Sequence, residues 1–227
     1  MKKRISWMLV SLVIITFSSF IYFNYEDIFS NPKITGDVVS SRLVIVTENQ
    51  SICDAKLEEG WNLVSFPCLS DDVDADFILG SLDYGSYRYY DPNDASDPWK
   101  SYNPNVPSWV RHDVSKVSKT KGYWINMNAA ENMSFNSTLS IPTLIDLVPG
   151  WNMIGYPSRN MSFVNVTLNS LIPNFDYVYM YNASAFDKWK EWTWNSSLPS
   201  NQDLVYMHRN YGYWIYMLNS DTLTIIE

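Results

Sequence analysis

The chain has 227 residues, 16 basic side chains against 24 acidic ones for a net charge of −8, 46% hydrophobic residues and only 18% charged ones. So high an apolar content excludes a mainly disordered chain, and the length holds one large domain or two small ones. The acidic balance argues against nucleic acid as a partner, because phosphate binding is driven by a basic face.

The first predicted element is membrane-spanning. Residues 5–23 carry no charge, and a helix of that length, rising about 1.5 Å per residue, matches the roughly 30 Å hydrocarbon core of a bilayer. Lys2, Lys3 and Arg4 precede it and Glu26 and Asp27 follow. The positive-inside bias therefore keeps residues 1–4 in the cytoplasm and places everything beyond residue 23 outside. Trp7 at one end and Phe20, Tyr22, Phe23 and Tyr25 at the other fit interfacial belts. A cleaved signal peptide is the open alternative, but it needs small residues at the cleavage site. The first alanine is Ala55, and Thr16-Phe17-Ser18 is a poor substitute. The expectation is an uncleaved, single-pass signal anchor whose partner is the lipid bilayer.

Residues 24–41, with Pro32 and Gly36, read as a tether, and residues 42–48 as a strand. Beyond it the chain repeats itself. Gly60-Trp61-Asn62-Leu63-Val64-Ser65-Phe66-Pro67 recurs as Gly150-Trp151-Asn152-Met153-Ile154-Gly155-Tyr156-Pro157, and Gly122-Tyr123-Trp124-Ile125-Asn126-Met127 as Gly212-Tyr213-Trp214-Ile215-Tyr216-Met217, both at an offset of 90 residues. Read without a gap, the same offset matches Tyr87 to Tyr177, Tyr89 to Tyr179, Trp99 to Trp189 and Lys100 to Lys190. Two copies of so long a period indicate two similar domains in series, module 1 over residues 42–141 and module 2 over 142–227.

Each copy predicts the same elements. The opening motif is a turn glycine and a half-buried strand stopped by proline. Residues 73–82 and 163–172 hold about two helical turns each with Asp or Asn caps. Aromatic strands follow at 87–90 and 177–181, the latter with Tyr177, Tyr179 and Tyr181 on one face. Turns at Asp91-Pro92-Asn93-Asp94 and Asn182-Ala183-Ser184 lead to hairpin partners at 99–102 and 188–194. Short helical turns are expected at 113–118 and 203–207, and strands at 123–127, 133–141, 213–217 and 222–226. The fold class is mainly β, α+β in detail: two tandem homologous β-rich modules after one N-terminal transmembrane helix.

The paired motifs resemble repeat modules, without assigned activity, of prokaryotic and notably archaeal surface and secreted proteins, which open with Gly-Trp-Asn and close with Gly-Tyr-Trp. The match runs over roughly residues 53–227. It implies a membrane-tethered or surface-layer-associated location and no catalytic residue. In that group a cysteine pair often brackets the opening motif, as Cys53 and Cys68 do here. Copy two has neither cysteine, and carries Gly155 where copy one has Ser65.

Cys53 and Cys68 flank a strand, and in an oxidising compartment such a pair reads as a disulfide, with two buried thiols as the alternative. Glycosylation sequons at Asn49, Asn132, Asn136, Asn160, Asn165, Asn182 and Asn195 are about twice the chance number. His112 and His208 are isolated and not equivalent between copies, and no nucleophile elbow or phosphate loop is present, so neither an enzyme, a metal nor a cofactor is expected. The acidic runs at Asp71, Asp72, Asp74 and Asp76 and at Asp91, Asn93, Asp94 and Asp97 fail the EF-hand pattern and read as cap and turn chemistry. The repeated rings Trp61/Trp151, Tyr87/Tyr177, Tyr89/Tyr179 and Trp124/Trp214 are expected in the module cores. Trp99, Trp109, Trp189, Trp192 and Trp194 lie in or beside loops and are candidates to stack on a ligand, Trp109 and Trp194 foremost because they lack an aromatic counterpart. The sequence thus predicts a non-enzymatic surface protein with a structural or binding role. The alternative is a carbohydrate-binding surface protein, with a polysaccharide-active enzyme third, since a pair of carboxylates is assembled in space and leaves no spacing signature; the expected partners are surface glycans or envelope proteins.

Overall fold

The computed structural model describes residues 51–226 except 71, 108 and 111; they fall within one compact unit, Thr47–Glu227. The expected anchor, tether and first strand, Asn49 and Asp71 lie outside the described residues. Among those described, no helix is long and apolar enough to cross a membrane.

The fold is mainly β, in small antiparallel sheets. Its first half runs β1 (Ser51–Leu57), β2 (Gly60–Val64), β3 (Val73–Asp74), α1 (Ala75–Leu79), β4 (Tyr84–Tyr90), β5 (Trp99–Tyr102), β6 (Lys116–Val117), β7 (Tyr123–Met127) and β8 (Glu131–Ser137). The second runs β9 (Thr143–Leu147), β10 (Gly150–Ile154), β11 (Ser162–Phe163), α2 (Val164–Thr167) with a 3₁₀ turn at Asn169–Leu171, β12 (Phe175–Tyr181), β13 (Trp189–Trp192), β14 (Tyr206–Met207), β15 (Tyr213–Met217) and β16 (Asp221–Ile225). Each half has a four-stranded sheet, ordered β2-β7-β4-β5 and β10-β15-β12-β13, and two ribbons, β1-β8 with β3-β6 and β9-β16 with β11-β14.

The opening motif explains itself in this frame. Gly60 and Gly150 take φ of +86° and +92°, a backbone conformation costly to any residue with a Cβ. Asn62 is buried and its amide ties the turn between β1 and β2: Nδ2 donates to the Glu58 and Gly60 carbonyls at 2.7 and 2.9 Å, and Oδ1 accepts from the Glu58 N–H at 2.9 Å. Asn152 does the same for Val148 and Gly150. The closing motif supplies the core. Tyr123 and Tyr213 are buried, and their hydroxyls accept the N–H groups of Ser118 at 2.8 Å and His208 at 2.6 Å. Tyr123 shares its core with Leu57, Phe66, Ile78, Leu79, Tyr87 and Ile125, and Tyr213 shares the other with Leu147, Tyr156, Leu168, Phe175, Val178 and Ile215.

Several expectations are corrected. Residues 113–118 and 203–207 form no helical turn; they give β6 and β14, and the carbonyls beside these strands, Ser115 and Val205, accept the N–H of Ala75 and Val164 at 2.8 and 3.0 Å. Those bonds serve the helix starts where Asp or Asn side chains were expected, and neither α1 nor α2 has a side-chain cap. β1 and β9 were not anticipated. Register also breaks the gapless repeat. Tyr87 pairs with Ile125 and Val178 with Ile215, so β4 corresponds to β12 at an offset of 91. Trp99 and Trp189 then return to 90, because the hairpin loop is one residue shorter in the second half.

The two halves meet about an approximate two-fold axis. The Ser65 N–H donates to the Asn210 carbonyl at 2.9 Å and the equivalent Gly155 N–H to that of Thr120 at 3.0 Å; Gly122 donates to Met153 at 3.3 Å and Gly212 to Leu63 at 3.2 Å. Gly122 and Gly212 face each other at this axis. A Cβ on Gly122 would come within 3.3 Å of the Gly212 Cα and 2.9 Å of the Ile154 carbonyl, which is why the closing motif begins with glycine. At Gly155 a Cβ would fall inside 3.0 Å of the Lys119 carbonyl oxygen and 3.1 Å from the Ser65 Cβ. Ser65 already fills that space, its hydroxyl donating to the Tyr211 carbonyl at 2.9 Å.

Candidate functional site

In a β-strand successive side chains face opposite sides, and each half uses this to sort its rings. On β7, Tyr123, Ile125 and Met127 point to the core and Trp124 and Asn126 to the other face; β15 does likewise with Trp214 and Tyr216 outward. Trp61 and Trp151 lie on that same outer face, opposite Asn126 and Tyr216. Because the sheets abut, their outer faces form one aromatic surface over Leu63 and Met153.

Its rings are arranged two-fold. Trp99 meets Trp214 at 5.8 Å and Trp189 meets Trp124 at 5.9 Å, in both cases edge to face. Tyr90 contacts Trp99 and Trp214 at 5.4 and 5.3 Å, and Tyr181 contacts Trp189 and Trp124 at 5.1 and 5.0 Å. Trp61 meets Trp124 at 6.3 Å and Trp151 meets Trp214 at 6.1 Å. Two clefts result: one of about 490 Å³ lined by Tyr90, Trp99, Trp151, Tyr179, Trp189 and Trp214, and one of about 430 Å³ lined by Trp61, Arg88, Trp99, Trp124 and Tyr181. Trp61, Trp99, Trp151 and Trp189 remain 37, 41, 40 and 45% exposed, so their edges and faces reach solvent while their bodies are fixed by neighbouring rings.

The symmetry of this face fails where Asn126 stands for Tyr216, and again at Arg88 and Tyr179. Arg88 and Tyr179 occupy equivalent places, opposite Trp124 and Trp214 respectively. The Arg88 guanidinium sits 4.6 Å over the Trp61 ring, a cation–π contact, whereas Tyr179 lies 5.8 Å from Trp151. Burial and the nearby Glu191 carboxylate push the Tyr179 hydroxyl above its ordinary range.

Of the tryptophans singled out from sequence, Trp99 and Trp189 belong to this surface. Trp192 packs on the second core, its ring 6.0 Å from Phe175. Trp194 is on the same core and donates its indole N–H to the Phe175 carbonyl. Trp109 is 81% exposed on the loop before β6 but does not line the groove. Conversely Trp61, Trp124, Trp151 and Trp214, expected inside, form the groove, and Tyr177 and Tyr179 lie on the outer side of β12 while Tyr87 and Tyr89 are core. Two adjacent rings such as Tyr123-Trp124 cannot share a strand face; that signal was present in the sequence.

Cys53 and Cys68 form a disulfide that ties β1 to the segment after β2. Their equivalents Thr143 and Ser158 are buried hydroxyls, bonded to the carbonyls of Ser140 and Asn160. Asn132, Asn160 and Asn165 are exposed, and Asn182 and Asn195 use Oδ1 to accept the N–H of Ser184 and Ser197; Asn136 lies on β8. The His112 ring packs 4.2 Å from Tyr102, and the His208 backbone caps Tyr213. Asp94 is committed to its turn: it takes the N–H groups of Ser96 and Asp97, and the Lys100 ammonium at 2.6 Å holds its carboxyl below the usual range. Among the described residues no three His, Cys, Asp or Glu side chains converge as metal ligands.

Compared with family models, with curated proteins and with solved structures, the chain has no significant match.

Proposed function

We propose that the protein is a membrane-anchored surface protein that binds carbohydrate through the tryptophan groove shared by its two homologous modules. In this reading residues 5–23 hold the chain in the bilayer with its N-terminus in the cytoplasm, and the modules work outside. What supports binding is the groove: three two-fold-related tryptophan pairs held in solvent-accessible positions by edge-to-face contacts. Aromatic faces of this kind stack on the apolar C–H faces of sugars, and a series of them along one groove suits an oligomeric ligand. Glycoside hydrolysis calls for a facing pair of carboxylates, and neither cleft is lined by Asp or Glu, so binding without catalysis is the better reading. The resemblance to surface repeat modules points to the same location.

The test is a titration of the full chain in lipid nanodiscs with neutral oligosaccharides (cello-, xylo-, manno- and chito-oligomers), followed by intrinsic tryptophan fluorescence. Saturable binding is expected, weakened roughly tenfold in Trp99→Ala and in Trp189→Ala, since a stacked ring is worth about 1–1.5 kcal/mol, and unchanged in Trp109→Ala. Binding that survives both groove substitutions and disappears in Trp109→Ala would move the site to the loop before β6.

A further inference from the structure

We infer that the carbohydrate bound in this groove is acidic, a sugar chain whose carboxylate or sulfate is read by Arg88. The inference rests on the carbohydrate reading and adds a charge to it. Arg88 projects from β4 onto the aromatic face, where Trp61, Trp99, Trp124 and Tyr181 surround the same cleft. Its guanidinium is held by Trp61 at 4.6 Å. Its Nε is buried and has no hydrogen-bond partner, and no carboxylate forms an ion pair with it among the described residues.

That is an unusual position for a cation in a chain with net charge −8. Arginine carries five donors in a rigid fork, matched to a planar anion, and leaving a donor both buried and unmade is costly. Lys100 and Lys190, by contrast, each hold two aspartates. A ligand that stacks on Trp99 and Trp124 and brings an anionic oxygen to the guanidinium supplies the counter-charge that no carboxylate among the described residues gives it, and ring stacking confines that anion to the sugar rather than to a free ion. The equivalent cleft carries Tyr179 in the same place, so the charge is read at one end of the groove.

The experiment compares, on the full chain in nanodiscs, oligogalacturonate, a sulfated galactan oligosaccharide and neutral galactose and cellulose oligomers of equal length, with free galacturonate as the monomer control. Wild type is expected to favour the acidic oligomers about tenfold, the increment of a charge-assisted hydrogen bond, with the preference fading as salt rises. Arg88→Gln should remove the preference, so that acidic oligomers bind no more tightly than neutral ones. The carboxylate and sulfate arms decide which anion is preferred. Equal binding of acidic and neutral oligomers, or an acidic preference untouched by Arg88→Gln in a folded variant, overturns the inference while the carbohydrate reading stands. No binding of any oligomer, with self-association that Trp99→Ala abolishes in sedimentation, overturns both and makes the face a contact between copies.

Discussion

Asn62 and Asn152 each satisfy three backbone groups at the mouth of a module. Replacing either by alanine strands these groups in a buried turn, at a cost of about 1–3 kcal/mol, and chemical denaturation should show a lowered midpoint of that size. Ser65 and Gly155 form a coupled pair. Gly155→Ser is expected to destabilise by about 1–3 kcal/mol through overpacking, and adding Ser65→Gly should return part of that loss, a positive coupling readable in a double-mutant cycle. The buried tyrosines impose a pH limit. Burial, with Tyr102 and Asp76 adding, pushes Tyr84 up to about 12, and burial pushes Tyr87, Tyr123 and Tyr213 higher still. Unfolded tyrosine ionises near pH 10, so above that value the unfolded state sheds protons the folded state retains. Stability is therefore full below about pH 10 and falls as pH rises through the folded-state values; denaturant midpoints taken on either side of that pH should show the drop, together with delayed tyrosinate absorbance.

At the scale of elements, the second half carries the frame of a disulfide without the sulfurs. Thr143 is paired with Ile225 as Cys53 is with Phe135, and Ser158 follows β10 as Cys68 follows β2. Thr143→Cys with Ser158→Cys is expected to close a second bridge over the same 15-residue separation, raising stability by about 3 kcal/mol on the chain-entropy account; mass under non-reducing conditions and the thermal midpoint check it. The strands at 123–127 and 213–217 were legible to the residue, because strict alternation and a leading glycine mark both ends. β1 and β9 were not, since Asp54, Lys56, Leu144 and Asp146 face outward and leave too few inward apolar positions to count. The groove was half legible. Trp99 and Trp189 stood out beside turns, but Trp61 and Trp124 carry the size and hydrophobicity of core residues; alternation puts Tyr123 and Trp124 on opposite faces, and the strand partners show which of those faces is outside. Arg88 was invisible, because matching tyrosines without a gap aligned it with Val178 when its counterpart is Tyr179.

For the molecule as a whole, two cores share one interface at which Gly122 faces Gly212. A single cooperative thermal transition is expected for the compact unit, and Gly122→Val, which drives side-chain atoms into the Ile154 carbonyl and Met153, should split it into two in calorimetry. The approximate two-fold also bears on what one chain can do that a pair cannot. A homodimer of identical modules must place the same residue on both sides of its axis: two serines at the position of Ser65 and Gly155 would collide, two glycines would forfeit the hydroxyl bond to Tyr211. It would equally be obliged to carry two arginines or two tyrosines beside its groove, and so to present identical ends to a ligand. Joining the modules covalently frees the two sides to differ, and the groove acquires a direction, one end cationic and the other phenolic, which a polymer with distinct ends can enter in only one preferred sense.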